Sequence, residues 1–171
     1  MGQSSVMVSG GSSIVENVVR FGGGGVYVSD CASLQMVESL VGNNYAMRTG
    51  GGLQFVGDAL GVISGASRIT NNTAAYGKGG GVLATDLSLL GVVLVLAEGV
   101  SVACNAAAMD VGGGVALTGD ASMVVGCTCK SCLKFVNNTA LSVNIPSDIH
   151  MDRDARTLLL AAGATCDGRH G

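Results

Sequence analysis

The stretch NNTAAYGKGGGV, residues 71–82, combines a pair of Asn, a run of small residues and three Gly followed by Val. It differs from a phosphate-binding loop, because its one Lys precedes the Gly triplet and no Ser or Thr follows. Gly triplets followed by Val or Leu recur elsewhere along the chain, so the stretch is one unit of a repeat. A repeated unit predicts an architecture more strongly than a single local motif does.

Two landmarks fix the register of the repeat. One is the last Gly of each triplet, at Gly25, Gly52, Gly81 and Gly114. The other is an Asn that stands eight or nine residues earlier, at Asn17, Asn44, Asn72 and Asn105. A fifth copy contributes Asn138 but has no triplet. Ile, Val or Phe stands three residues before each Asn, and Val or Ala stands two residues after it. Successive Asn residues are 27, 28, 33 and 33 residues apart.

A unit of this length, with short alternating apolar segments after each triplet, predicts one coil of a β-solenoid. Asn tolerates the left-handed backbone of a corner, and its amide can bond the same amide in the next coil. Parallel strand connections are nearly always right-handed, and the frame of leucine-rich repeats is absent. We therefore predict an all-β, single-domain, right-handed parallel β-helix of about five coils over residues 1–150. Residues 151–171 are predicted to form a C-terminal extension or cap, in which DARTLLLAA (154–162) suggests a short helix.

The composition argues against two classes of partner. The net charge is −3 and no run of Lys or Arg exists to neutralise phosphates, so we expect no nucleic acid. The longest apolar run, LSLLGVVLVLA (87–97), is too short to cross a bilayer, and no transmembrane segment is predicted. With 48% hydrophobic and 12% charged residues, the chain also differs from a disordered Gly-rich linker.

The repeat unit resembles that of the polymorphic outer membrane proteins of chlamydiae, which pairs a GGA[ILV] motif with FxxN. FVNN at residues 135–138 matches the second motif, whereas the triplets carry Gly where that family has Ala. The unit is also similar to Gly- and Asn-rich right-handed β-helix proteins of cell surfaces. The resemblance covers about residues 12–150. It implies an extracellular or cell-surface β-helix domain with an adhesive or structural role.

A further landmark follows each triplet by five or six residues, at Asp30, Asp58, Asp86 and Asp120. Carboxylates stacked in one column would lie about 5 Å apart, close enough for a Ca²⁺ ion to bridge them. Solvated Asp residues at turns are commoner, and the nine-residue motif of calcium-binding β-rolls is absent. We therefore expect no metal site and no cofactor, with calcium binding by this column as the alternative.

Two kinds of covalent modification are suggested by the sequence. Cys104 and the CTCKSC segment, which contributes Cys127, Cys129 and Cys132, are candidates for a disulfide between neighbouring coils. Free thiols and a zinc site are the alternatives for these cysteines. Asn71 and Asn137 each begin an N-N-T sequon and are candidate glycosylation acceptors on a eukaryotic secretory route.

No catalytic residues are predicted, because the Arg residues are scattered and the only histidines, His150 and His170, lie outside the regular repeats. We expect a non-enzymatic extracellular or cell-surface scaffold or adhesion module whose partner is a protein or a polysaccharide. The enlarged coils at 87–104 and 121–135 are expected to bulge from the same side and to offer a variable contact face. The alternative is a carbohydrate-active, pectate-lyase-like β-helix, or a polysaccharide-binding module, with its site outside this chain.

Overall fold

The structure is a computed structural model that describes residues 3–86, 91–126, 133–140, 145–146, 148–152, 155 and 158–160. These residues form a β-solenoid in which every coil contributes one short strand to each of four sheets. No helix occurs among them. The prediction of an all-β parallel β-helix is therefore confirmed. Five column Asn delimit four complete coils, so the solenoid has about four turns, slightly fewer than the five counted from the sequence.

The first and second sheets run consecutively along each coil. The first sheet consists, in spatial order, of β1 (Ser5–Val8), β5 (Ser33–Val37), β9 (Leu60–Ser64), β13 (Val93–Leu96), β17 (Ser122–Val125) and β22 (Leu158–Leu160). The second sheet consists of β2 (Ser13–Val15), β6 (Leu40–Gly42), β10 (Arg68–Thr70), β14 (Ser101–Ala103) and β18 (Lys134–Val136). All of these pairings are parallel.

The third and fourth sheets complete each coil. The third sheet consists of β3 (Val18–Val19), β7 (Tyr45–Ala46), β11 (Thr73–Ala74), β15 (Ala106–Ala107) and β19 (Thr139–Ala140), with β20 (Ile145–Pro146) added antiparallel at its end. The fourth sheet consists of β4 (Val26–Ser29), β8 (Leu53–Val56), β12 (Val82–Asp86), β16 (Val115–Gly119) and β21 (Ile149–Met151). The first four strands of the fourth sheet begin directly after the Gly triplets, as the alternation in the sequence predicts.

The helix suggested for residues 154–162 is wrong at the residues that the structure describes there. Leu158–Leu160 forms β22, which pairs in parallel with Met123–Val125 and so adds a further strand to the first sheet. A three-residue Leu run placed beside an open sheet edge gains interstrand hydrogen bonds, which here outweigh the high helix propensity of Leu.

The core is a set of apolar columns inside the coil. Val41, Ile69 and Val102, each three residues before a column Asn, are fully buried and lie in register across the second sheet. Phe55 is the one large aromatic side chain that is fully buried among the described residues. Its ring occupies the space beside Gly61, where a Cβ atom would lie 2.6 Å from Phe55 Cζ. The interior is thus filled by aliphatic side chains, mainly Leu, Ile, Val, Met and Ala, and at Phe55 a large side chain is accommodated by the small Gly61 beside it.

The column of Asn side chains links every coil to the next. Asn72 Nδ2 donates to Asn105 Oδ1 at 3.0 Å and to the carbonyl of Val41 at 3.0 Å. Asn72 Oδ1 in turn accepts from both the backbone N–H and the Nδ2 of Asn44, each at 3.0 Å. The same pattern repeats at Asn44, Asn105 and Asn138, all of which are buried.

The two ends of the Asn column differ. Asn17 is exposed, and its Nδ2 donates to Val15 O of its own coil at 3.1 Å. The buried Asn side chains instead donate to a backbone carbonyl of the preceding coil. At the other end, Asn138 Nδ2 donates to the carboxylate Oδ1 of Asp148 at 2.8 Å. Asp148 therefore takes the acceptor role that an Asn of a following coil would have.

The Gly triplets are required by the Asn column as well as by the bend. The first Gly of each triplet has a positive φ, as at Gly79 (φ 72°). The third Gly lies against the amide of the next coil: a Cβ on Gly81 would be 2.6 Å from Gly114 O and 3.0 Å from Asn105 Cγ. The triplet thus lets one backbone approach the amide column closely.

Replacing Asn72 by Ala is expected to destabilise the protein by about 3 kcal/mol, because it removes the acceptor of the buried Asn44 N–H and Nδ2 and the side-chain donor to the carbonyl of Val41. Asn17→Ala is the matched control and is expected to cost less than about 1 kcal/mol, since water replaces the lost contacts at the exposed end. Equilibrium urea unfolding measures both. Equal losses at the two positions would contradict a cooperative buried column.

Gly81→Ala is expected to destabilise the protein by about 3 kcal/mol, since the added Cβ overlaps the backbone of the next coil. Gly126→Ala is the control: its Cβ would meet nothing closer than Ala97 Cα at 3.8 Å, and a change within about 0.5 kcal/mol is expected. Thermal unfolding followed by circular dichroism compares the two variants. Equal melting temperatures would show that close approach at the triplet is unimportant.

Candidate binding groove at the corner between the third and fourth sheets

Large exposed side chains stack along one corner of the solenoid, where the third sheet turns into the fourth. They occupy the position four residues after each column Asn and are Phe21, Arg48, Tyr76 and Met109, here called the corner column. Backbone hydrogen bonds from Arg48 N to Phe21 O (3.0 Å) and from Tyr76 N to Met47 O (3.1 Å) hold successive turns together. Phe21, Tyr76 and Met109 are each more than 60% exposed.

Arg48 is held against the first member of this column. Its guanidinium carbon lies 5.7 Å from the centroid of the Phe21 ring, within the range of a cation–π contact. This contact restrains a long side chain that would otherwise be mobile in solvent. The guanidinium therefore presents its N–H donors in a defined direction beside Tyr76, which occupies the same position one coil further on.

A cavity of about 540 Å³ opens beside the corner column. Its lining combines an aromatic side chain, a thioether, a guanidinium, a hydroxyl and a carboxylate and consists of Met47, Arg48, Thr49, Tyr76, Gly77 and Asp110. The Asp110 carboxylate is oriented by the backbone N–H of Val111, which donates to Oδ1 at 2.9 Å. Both polar and flat apolar groups thus face the same concave space.

A second cavity of about 400 Å³ adjoins the first on the outer surface of the fourth sheet. It shares Thr49, Gly77 and Asp110 with the first and adds Gln54, Lys78, Leu83, Thr85, Thr118 and Asp152. The two cavities together are here called the corner groove. Within it Thr49 Oγ1 donates to Gln54 Oε1 at 3.1 Å, and Thr118 Oγ1 donates to Thr85 Oγ1 at 2.8 Å, so its polar side chains are fixed by neighbours.

A small ionic cluster closes one end of the corner groove. Lys78 Nζ lies 2.8 Å from Asp152 Oδ2, and His150 Nε2 lies 2.9 Å from Asp152 Oδ1. The hydrogen bond from Lys78 lowers the pKa of the Asp152 carboxyl below its ordinary value of 3.8; burial opposes this shift, and His150 adds to it. Asp152 is therefore a carboxylate throughout the neutral range.

The Asp residues that follow the triplets do not form one column. Strand pairing places Ser29 beside Val56, Val56 beside Thr85, and Asp86 beside Gly119. Asp30 and Asp86 therefore share one position, while Asp58 and Asp120 lie one residue later. The expectation of carboxylates stacked in every coil is wrong, because the chain has inserted one extra residue, Gly57 or Gly119, in alternate coils. Among the residues that the structure describes, no group of three or more His, Cys, Asp or Glu is arranged to hold a metal ion.

The candidate modification sites share another position, one residue before the column Asn. Asn71 and Asn137 are exposed there with φ values of 55° and 54°, so both sequons lie at accessible corners. Cys104 occupies the same position, with φ 54°, and is exposed. Cys127, Cys129 and Cys132 lie outside the described residues. The disulfide and glycosylation hypotheses therefore stay predictions.

The two enlarged coils differ in where their extra residues fall. Thr85 and Val93 are separated by four more residues than their partners Val56 and Leu60, which places the first insertion between the fourth and first sheets. Val125 and Lys134 are separated by four more than Leu96 and Ser101, which places the second between the first and second sheets. The two insertions therefore fall at opposite ends of the first-sheet strands, and because residues 87–90 and 127–132 lie outside the described residues, the expected shared contact face stays a prediction.

No protein-family model matches the chain, and neither a curated protein nor a solved structure does. In the part of the chain that the structure describes, no helix is long and apolar enough to cross a membrane. The choice of function therefore depends on the chain's own residues.

The Lys78–Asp152 ion pair is expected to be weak and dependent on pH. A double-mutant cycle with Lys78→Met and Asp152→Asn should give a coupling free energy of about 0.5 kcal/mol at pH 7, because both side chains are partly exposed to solvent. Since the folded-state pKa of Asp152 is lowered, this coupling is fully present above pH 3.8 and is lost as the pH falls through the folded-state pKa. Urea unfolding at pH 7 and at pH values from 5 to 2 measures it. A coupling energy that does not change with pH would contradict this assignment.

Proposed function

We propose that the protein is a non-enzymatic scaffold of the extracellular or cell-surface kind, an adhesion module that binds through the corner column. The observation that carries this proposal is the exposure of Phe21, Arg48, Tyr76 and Met109 in successive coils of one corner. Aromatic residues, Met and Arg are the types most enriched in binding surfaces. The chain has only three Phe and three Tyr, yet it places two of them in this column.

The rigidity of the scaffold supports the same role. A surface that binds without rearranging loses little conformational entropy, and this favours affinity. The buried Asn column and the close Gly contacts fix each corner relative to the next. Adhesion modules benefit from such rigidity, because several weak contacts then act on one partner at the same time.

Two features of the sequence support a location outside the cell. The repeats resemble those of the chlamydial polymorphic outer membrane proteins, for which a surface location and an adhesive or structural role are typical. The sequon residues Asn71 and Asn137 are exposed at corners, a position that would accept a glycan without disturbing the core.

The test uses beads coated with the purified protein and challenged with immobilised glycans and extracellular-matrix proteins. Retention of the beads is expected on at least one surface and should be lost in the variant Phe21→Ser, Arg48→Ser, Tyr76→Ser, Met109→Ser. Because all four side chains are exposed, this variant should keep the melting temperature of the wild type within a few degrees.

The same preparations are assayed for cleavage of the polysaccharides offered. Release of reducing or unsaturated ends would overturn the non-enzymatic role and support a carbohydrate-active β-helix. Equal retention of wild-type and variant beads would show that adhesion does not use the corner column.

A further inference from the structure

We infer that the corner groove is a saccharide-binding site, in which the ring of Tyr76 packs against a pyranose and the polar lining bonds its hydroxyl groups. This inference rests on the proposed function and names the ligand class that the adhesion surface recognises. It is carried by the juxtaposition of Tyr76, Arg48 and Asp110 around one cavity of about 540 Å³.

The chemistry of the lining fits a sugar. One face of a pyranose ring presents C–H groups, which pack against the electron-rich face of an aromatic ring. Its hydroxyl groups are both donors and acceptors and therefore need donors and acceptors in return. Arg48 offers several N–H donors, Asp110 offers carboxylate oxygens, and the Thr49 hydroxyl offers both.

The polar groups are positioned before any ligand binds. The guanidinium of Arg48 rests on the Phe21 ring, and Asp110 Oδ1 accepts from the N–H of Val111. Ligand sites of this kind are typically concave, with a few polar groups held in fixed orientations and volumes of about 300–1,000 Å³. The cavity beside Tyr76 lies within that range.

The length of the corner groove indicates an oligosaccharide. Arg48, Tyr76 and Asp110 belong to three successive coils, and the ionic cluster around Asp152 lies further along the same surface. With about 4.8 Å between coils, the groove extends roughly 15 Å along the solenoid axis. A short run of sugar rings covers this distance, whereas a single ring fills only the first cavity.

A saccharide is favoured over a protein partner by the small size and the polarity of the surface. A stable protein interface buries about 800 Å² on each partner and has an apolar core. The corner groove is an open depression built from two small cavities, and Lys78, Gln54, Thr85 and Thr118 give the second of them a polar lining. An apolar protein surface would remove water from these polar groups without bonding their remaining donors and acceptors, whereas sugar hydroxyls can bond them.

The positive and negative groups of the lining are nearly balanced, which favours a neutral sugar. Lys78 is paired with Asp152, and Arg48 and Asp110 line the same cavity. An acidic polysaccharide would meet the carboxylates of Asp110 and Asp152 as well as the cationic groups. We therefore assign the groove to neutral hexose or pentose chains.

The test measures binding of the intact protein to cellotetraose, mannotetraose, xylotetraose and tetragalacturonate by isothermal titration calorimetry and saturation-transfer NMR. At least one of the three neutral probes is expected to bind, with tetragalacturonate at least about fivefold weaker. Tyr76→Ala should weaken the binding at least about fivefold, as expected for truncation of a central aromatic contact. Tyr76→Phe keeps the ring and should bind within about twofold of the wild type.

Tyr27→Ala is the matched control, because Tyr27 is similarly exposed (54%, against 63% for Tyr76) and lines neither cavity of the groove. It should leave the affinity unchanged, and all three variants should keep the wild-type melting temperature. Binding that is unaffected by Tyr76→Ala, or equally reduced by Tyr27→Ala, would overturn the site. Retention of coated beads on a protein surface together with no binding of any tetrasaccharide would overturn the saccharide inference alone, whereas failure of both assays would overturn the adhesive function as well.

Discussion

The stacked amides of the Asn column are the interaction on which the rest of the structure depends. A buried amide is costly unless its donors and acceptor are bonded, and each Asn here obtains its partners from the coils on either side. No single coil can therefore satisfy its own Asn. The ladder of amide hydrogen bonds therefore runs along the axis and ends at the solvent-exposed Asn17 on one side and at the carboxylate of Asp148 on the other.

The Asn column also requires the Gly triplets, and together the Asn and Gly positions determine where along the repeat other residue types are tolerated. The third Gly must lie against the amide of the next coil, and the first must turn the chain with positive φ. Between the Asn and the triplet the chain passes through the corner, where side chains point to solvent and nothing in the core restricts them. Phe21, Arg48, Tyr76 and Met109 differ in chemistry at one structural position because this position is unconstrained by packing.

The fold was predictable because its landmarks are set by hydrogen bonding and by close backbone approach, which depend on residue type. Asn72 and Gly81 could be aligned with their counterparts by spacing alone, and the strand pairings confirm that register. The Asp register was already visible in the spacing, because Asp30 and Asp86 follow the triplet by five residues whereas Asp58 and Asp120 follow it by six. One extra Gly at a turn, such as Gly57, shifts the carboxylate without disturbing the strands. The corner at which an insertion leaves the coil was not predictable, because it depends on where the strands end. The number of sheets, four, was not predictable either, because no sequence pattern marks it.

The corner groove was missed for a related reason: its residues form no motif along the chain. Arg48, Tyr76 and Asp110 lie about thirty residues apart and become neighbours only because successive coils stack at about 4.8 Å. The signal that could have found Arg48 and Tyr76 is the position four residues after each column Asn, compared across coils, and Asp110 stands one residue after that position. In a solenoid, different positions of one repeat thus serve folding and binding. The Asn and Gly positions maintain the stack of coils, and the corner positions of several coils together form a ligand site. Substitutions at the corner can change what is bound at little cost in stability, and this is the physical reason why a repeat scaffold suits a variable surface.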